Sequence, residues 1–169
     1  MSSEGVQTRM APVSSDEFRR ACGRFATGVA VAAVLDPAGA PHGLTVSSFT
    51  SVSLHPPLVL ICLDHAVTNI EEFRHATHFG LSFLGEEERR ISDRFAQKGH
   101  DRFDGVEWHR GETGVPLLTH ALATLECAVH QRFTAGDHDI LVGEVIRTHA
   151  KEGPPLVHFS GHYRKLALD

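Results

Sequence analysis

Between residues 121 and 133 the odd positions Ala121, Ala123, Leu125, Cys127, Val129 and Phe133 are mostly apolar. The even positions, among them Thr124, Glu126, His130 and Arg132, are mostly polar. Side chains of a strand point alternately to its two faces, so this pattern predicts a long strand with one wet face. Thr134-Ala135-Gly136-Asp137-His138 then reads as a turn, and residues 139–148 as the returning strand of a hairpin. A hairpin of that length points to antiparallel pairing. No strand–helix–strand alternation runs through the chain, which argues against a doubly wound nucleotide fold.

The other elements agree. Ser14 and Glu17 form a capping box that opens a helix, with Phe18, Ala21, Cys22, Phe25 and Ala26 at helical spacing. It stops at Thr27-Gly28. Strands are predicted over 29–35, 42–48, 51–55, 58–63, 79–84, 154–159 and 162–166, with a turn at Asp36-Pro37-Ala38-Gly39. Thr68 and Glu71 form a second capping box before a short helix to about His75. Residues 86–96 read as a charged helix with Ile91 and Phe95 inward, and 101–114 as a loop anchored by Phe103 and Trp108. The reading is mostly β with a few helices: an antiparallel sheet closing into a small barrel, its ends covered by helices. Residues 1–13 are expected to be a flexible arm and 14–169 a single domain.

Composition excludes several classes. No apolar run approaches the roughly 20 residues of a membrane helix, and no apolar secretory segment precedes Pro12. Cys22, Cys62 and Cys127 are odd in number and far apart, which fits a reducing cytoplasm rather than a disulfide framework. A formal net charge of −5 argues against nucleic acid as a partner. No H-E-x-x-H occurs among the 13 histidines, and no metal site is assigned. Nucleophile-elbow, Rossmann and P-loop signatures are absent.

Three segments carry candidate chemistry. In the first, a cluster of hydroxyls (Thr45, Ser47, Ser48, Thr50, Ser51, Ser53) runs into Pro56-Pro57 and the apolar run 58–63. It reads either as a polar strand end or as a backbone that approaches a polar ligand. After the apolar strand, Thr68 and Asn69 stand at a helix start, where free N–H groups favour an anion. Thr68 as a simple N-cap is the plainer reading, and both can hold. Lys98 and Arg102 follow the third helix, as a solvated basic turn or as phosphate ligands. Arg102 is the better suited of the two, because its fork matches oxygen pairs. His138 lies in a Gly-bearing turn between Asp137 and Asp139, where an imidazole can hydrogen-bond an anionic, amide-bearing partner.

Taken in order, Phe25-Ala26-Thr27-Gly28-Val29, Gly43-Leu44-Thr45-Val46-Ser47-Ser48-Phe49, Ser51-Val52-Ser53-Leu54, Pro56-Pro57-Leu58-Val59 and Cys62-Leu63-Asp64 resemble the short-chain flavin reductases. Ala121-Leu122-Ala123, Leu125-Glu126-Cys127, Ala135-Gly136-Asp137-His138, Gly143-Glu144-Val145 and Gly161-His162-Tyr163 extend the likeness over nearly the whole chain. The resemblance implies an FMN-binding split β-barrel, a homodimer, and reduction of FMN or FAD by NADH or NADPH. It also implies release of reduced flavin to a separate flavin-dependent oxygenase. Carried over by position, Thr45, Val46, Ser47, Ser48 and Cys62 would meet the flavin. Asp64, Thr68 and Asn69 would line its ribityl–phosphate region, and Ala96, Lys98 and Arg102 would bound the phosphate or diphosphate. His138 and Tyr163 would share the nicotinamide side. His55, where many members carry an acid, and the hydroxyl-poor His65-Ala66-Val67 leave FMN against FAD open. Two further readings of the same barrel are a non-catalytic flavin-binding protein and an oxidase or haem-binding relative using another cofactor.

Overall fold

The protein is described by a computed structural model over residues 11–99 and 101–167. Most of the predicted N-terminal arm therefore lies outside the described residues. The order of elements is α1 (Ser15–Cys22), β1 (Thr27–Gly28), β2 (Ala30–Leu35), β3 (Pro41–Val46), β4 (Thr50–Leu54), β5 (Pro57–Asp64), α2 (Ile70–His75) and β6 (His78–Phe83). A 3-10 turn (Glu86–Glu88) leads into α3 (Arg89–Ala96). Then come β7 (Trp108–Arg110), β8 (Pro116–Leu118), β9 (Ala123–Ala135), β10 (His138–Ala150), β11 (Val157–Phe159) and β12 (His162–Arg164).

Seven strands form one antiparallel sheet in the order β3-β2-β6-β9-β10-β5-β4. The long hairpin β9–β10 is its spine. Its ladder shifts register between Val142 and Gly143 and again between Val145 and Arg147; such bulges sharpen the twist that curls a sheet. The curl brings the segment after β3 back to β5. There the Ser48 hydroxyl accepts from the Cys62 amide at 2.9 Å and donates to the Cys62 carbonyl at 3.1 Å. A side chain thus replaces the missing ladder across the split of the barrel. A second sheet, β1-β11-β12, and the two-stranded β7–β8 ribbon complete the fold.

β2 is buried on both faces, as an unbroken apolar strand should be. Ala30, Ala32 and Val34 join Ile61, Phe79, Leu81, Cys127 and Leu141 inside the barrel, while Val31 and Ala33 pack outward against Phe95, Phe103 and Leu118. Gly143 serves this core: a Cβ there would lie 2.5 Å from the Phe79 ring.

At five points the structure departs from, or adds to, what the sequence leads one to expect. Thr124 and Glu126 are buried, so the even face of β9 is not wet at that end. They pair with Ser82 and Gly80 of β6, over which the β7–β8 ribbon lies. Leu118 N–H donates to Ser82 Oγ at 3.0 Å, and Glu126 accepts from the amides of Glu112 and Thr113 at 3.0 and 2.6 Å. At the other end of β9 Phe133 is half exposed. The 101–114 segment contains a strand, β7, where Trp108 pairs with Leu118. β5 buries Val59, Ile61 and Leu63 but leaves Leu58, Leu60 and Cys62 half covered. Finally, α1 forms with both arms of its capping box yet buries no residue, leaving Phe18 60% exposed and Phe25, beyond its end, 78% exposed.

Among the described residues no helix is long and apolar enough to cross a membrane. No group of three His, Cys, Asp or Glu side chains is placed to hold a metal ion.

Candidate functional site

β3 organises the site, because successive side chains of a strand alternate, so that Gly43 and Thr45 fall on one side, and Ser47 is the first residue past its end. At its near end Arg102 is 8% exposed. Its Nη1 donates to the Gly43 carbonyl at 2.6 Å and its Nε to the Gln97 carbonyl at 2.9 Å. Asn69 Oδ1 and Thr68 Oγ1 each lie 3.5 Å from the guanidinium, and Asn69 Nδ2 donates to the same Gly43 carbonyl at 3.1 Å. Every one of these partners is neutral. No carboxylate approaches Arg102 within 4 Å among the described residues. Burial pulls the guanidinium below the usual arginine pKa. A buried cation without a counter-ion is costly and calls for an anion.

Two cavities meet at Arg102. An inner one of about 60 Å³ is lined by His42, Gly43, Thr68, Asn69, Glu72 and Gly99, among others. An outer one of about 310 Å³ adds Arg94, Gln97, Lys98 and Asp101. Lys98 is exposed on the wall of the outer one, whereas Ala96, the exposed last residue of α3, lines neither.

The far end of β3 opens on a different space. A cleft of about 470 Å³ is lined mainly by apolar groups, including Phe25, Val29, Phe49, Phe83 and Leu156. Ser47 stands on its wall, exposed. Phe49 and Phe83 meet edge to face with centroids 4.7 Å apart. The Thr27 hydroxyl, also on the wall, is buried and has no hydrogen-bond partner among the described residues. Lys151, whose Nζ donates to the His120 carbonyl at 2.8 Å, supplies the one cation among the described residues that line the cleft. Ser47 lies four residues beyond Gly43, a span of at most about 14 Å of chain.

The remaining candidates fall into two groups. Asp64 closes a turn by accepting the Ala66 amide at 2.8 Å, and its strand position pairs with His138. His138 is half exposed, its Nδ1 2.7 Å from Asp137 Oδ1. Tyr163 lies on β12 in the other sheet: its hydroxyl is 2.7 Å from Ser92 Oγ, and Arg89 sits 5.2 Å above its ring. Burial raises the Tyr163 pKa.

Several hydroxyls in the predicted set are already engaged by the protein. Thr45 Oγ1 donates to the Ser92 carbonyl of α3 at 2.7 Å, and Ser48 is the clasp on Cys62. Val46 is buried in the barrel core. Burial also raises the Cys62 thiol pKa. The second capping box does not form. Asn69 is the N-cap of α2, without a side-chain cap bond, and Thr68 turns toward Arg102. α2 has only six residues, so the cation near this loop is Arg102 rather than a helix dipole. Among the described residues His138 and Tyr163 stand in different sheets, and neither lines the cleft or the Arg102 cavities.

Residues 22–167 match the family model described as "Flavin reductase like domain". The chain belongs to the flavin reductase-like family. Within it, this chain is 42% identical over 150 residues to a Streptomyces coelicolor protein named "Actinorhodin polyketide dimerase", covering 88% of this chain and 85% of that one. It is 36% identical over 157 residues to a Rhodococcus opacus protein named as the reductase component of a 4-nitrophenol 4-monooxygenase/4-nitrocatechol 2-monooxygenase, covering 93% and 84%. Among solved structures, the Streptomyces globisporus NADH:FAD oxidoreductase SgcE6, in complex with NAD and FAD fragments, superposes with a TM-score of 0.86 at 37% identity, covering 94% of this chain and 99% of that one.

The apolar cleft has no local signature: Phe25, Thr27, Phe49 and Leu122 stand in segments that carry the family likeness, while Lys151 and Pro155 belong to no motif. In a flavin reductase-like chain the Phe25-Ala26-Thr27-Gly28 segment was the available clue, since its position before β2 puts it at the barrel mouth.

Proposed function

We propose that this chain is an NAD(P)H:flavin oxidoreductase that reduces FMN or FAD and delivers the reduced flavin to a separate oxygenase component. The observation that carries this reading is Arg102, a buried cation with neutral partners, at one end of a strand face whose other end opens on an apolar cleft. A flavin nucleotide has those two features, a phosphate and a flat aromatic ring, joined by a polyol.

The residues present fit such a ligand. Arg102, Thr68 and Asn69 would hold the phosphate that FMN and FAD share, and Lys98 and Arg94 would face the second phosphate of FAD. Ser47, the backbone near Ser48 and Cys62, and the unpartnered Thr27 hydroxyl are the polar groups for the ring edge. Phe25, Phe49 and Phe83 would exclude water from its surface. Hydride transfer between a dihydronicotinamide and an isoalloxazine is chemistry the two nucleotides bring themselves. The protein's part is to stack, orient and desolvate them. That division of labour accounts for a site without a nucleophile or an acid–base pair. His138, and Tyr163 from its separate sheet, are assigned to the nicotinamide side, which in a homodimer can draw on both chains. Exposed Phe18, Phe25, Val52, Leu54 and Phe133 supply apolar surface for that dimer. The cytoplasm is the proposed location.

The test is reduction under anaerobic conditions. The purified protein should bleach the visible absorption of FMN or FAD when NADH or NADPH is added. Flavin bound without bleaching would leave only a carrier, and failure to bind either flavin would end the proposal.

A further inference from the structure

Outside the residues assigned above, one carboxylate ties four elements together. Asp139, on β10 one residue after His138, has a side chain only 12% exposed. Its Oδ1 lies 2.8 Å from His65 Nε2 and accepts from Thr134 Oγ1 at 3.0 Å, while its Oδ2 accepts from Arg74 Nε at 2.7 Å. His65 belongs to the loop after β5, Arg74 to α2, and Thr134 to β9. The His65 amide also donates to the Asp137 carbonyl at 3.0 Å. Two bonds from one residue therefore join the 64–69 loop to the His138 turn. The loop bears Asp64, Thr68 and Asn69.

We infer that Asp139 is a positioning residue, which through His65 and Arg74 locks the 64–69 loop and the His138 turn into one geometry and so sets affinity for both nucleotides at once. This rests on the reading of the protein as a flavin reductase. Asp139 touches neither proposed binding surface: it lines neither the cleft nor the Arg102 cavities. Its strength comes from full partnering, since both oxygens are satisfied and two of the donors carry or can carry charge. Arg74 first and His65 second hold the carboxyl at a pKa of about 2, so it is ionised wherever the protein works. A loop tied only by its own turn samples more conformations, and ordering it on binding lowers apparent affinity.

Steady-state kinetics with FMN and NADH would test this in wild type, Asp139→Asn, His65→Ala and His65→Gln. Asp139→Asn and His65→Ala should each raise the Michaelis constants for FMN and for NADH together, by about tenfold, with kcat changing less than threefold. His65→Gln keeps a side-chain donor toward Asp139 and should restore both constants to within about twofold of wild type. A purely structural role would lower the melting temperature and leave both constants in place, which overturns the inference. So would a rise in one constant alone. Should Asp139→Asn not fold, the His65 pair decides by the same criteria. A wild-type protein that reduces no flavin would instead sink the flavin reductase reading, a different result from active wild type with indifferent variants.

Discussion

Replacing Arg102 by Met keeps the length of the side chain and removes its charge. In the folded protein Nε and Nη1 are committed to the Gln97 and Gly43 carbonyls, whereas Nη2 has only the Thr68 hydroxyl at 3.5 Å. Nη2 is therefore the donor left for an incoming phosphate. Hydrogen bonds to charged groups contribute about 2–3 kcal/mol when both sides are desolvated, which corresponds to a loss of about 30- to 150-fold in affinity. Part of the change falls on the fold. The Gln97 carbonyl loses its donor, while the Gly43 carbonyl keeps Asn69 Nδ2 at 3.1 Å. A cost of about 1–2 kcal/mol there lowers the melting temperature by roughly 2–8 °C for a chain of this size.

The assay that separates the two effects is flavin titration by fluorescence or calorimetry with FMN and with riboflavin, which lacks the phosphate. Arg102→Met should weaken FMN by the factor above and leave riboflavin within about threefold. Arg102→Lys, which retains charge but not the fork, should fall between. Equal weakening of FMN and riboflavin would show that Arg102 only braces the β3 backbone, and the phosphate assignment would be withdrawn.

Four further perturbations follow from the same geometry. Ser48→Val removes the clasp on the Cys62 amide and carbonyl and should cost about 1–3 kcal/mol of stability by urea unfolding; Ser47→Val should leave the urea midpoint in place and weaken flavin binding. His138→Ala should raise the Michaelis constant for the nicotinamide far more than that for flavin, and equal kinetics would remove His138 from the site. Asp139 ionises at about 2 when folded, held down by Arg74 and His65, against about 3.9 for an ordinary aspartate. Its stabilisation is thus complete above the unfolded value and lost as pH falls through the folded one; urea midpoints of Asp139→Asn should fall less steeply than wild type across that window.

The hairpin was legible because its signals are local. Alternation, a Gly-bearing turn and a return strand are all written in adjacent residues, and β9 and β10 formed where that pattern placed them. The Ser14 capping box was legible for the same reason. The errors share an opposite cause. Nothing local at Thr124 or Glu126 shows that β7 and β8 fold over them, because their partners lie at Ser82, Glu112 and Thr113. Thr68 satisfied a capping pattern, yet Arg102, 34 residues later, competes for its hydroxyl, and Asn69 turns to Gly43. Thr45 and Ser48 had the chemistry of ligand contacts and were taken by Ser92 and Cys62 across the barrel split.

Backbone preference and side-chain periodicity act over a few residues, so the primary structure alone settled the strand-rich architecture, the antiparallel spine and the ordered motifs that mark the family. Which hydroxyls stay free, which cation is left with neutral partners only, and where a cleft opens depend on groups tens of residues apart competing for one another. That competition is resolved only when the barrel closes and burial makes every unpaired polar group costly. Arg102 and Thr27 then emerge as groups the protein itself leaves unsatisfied.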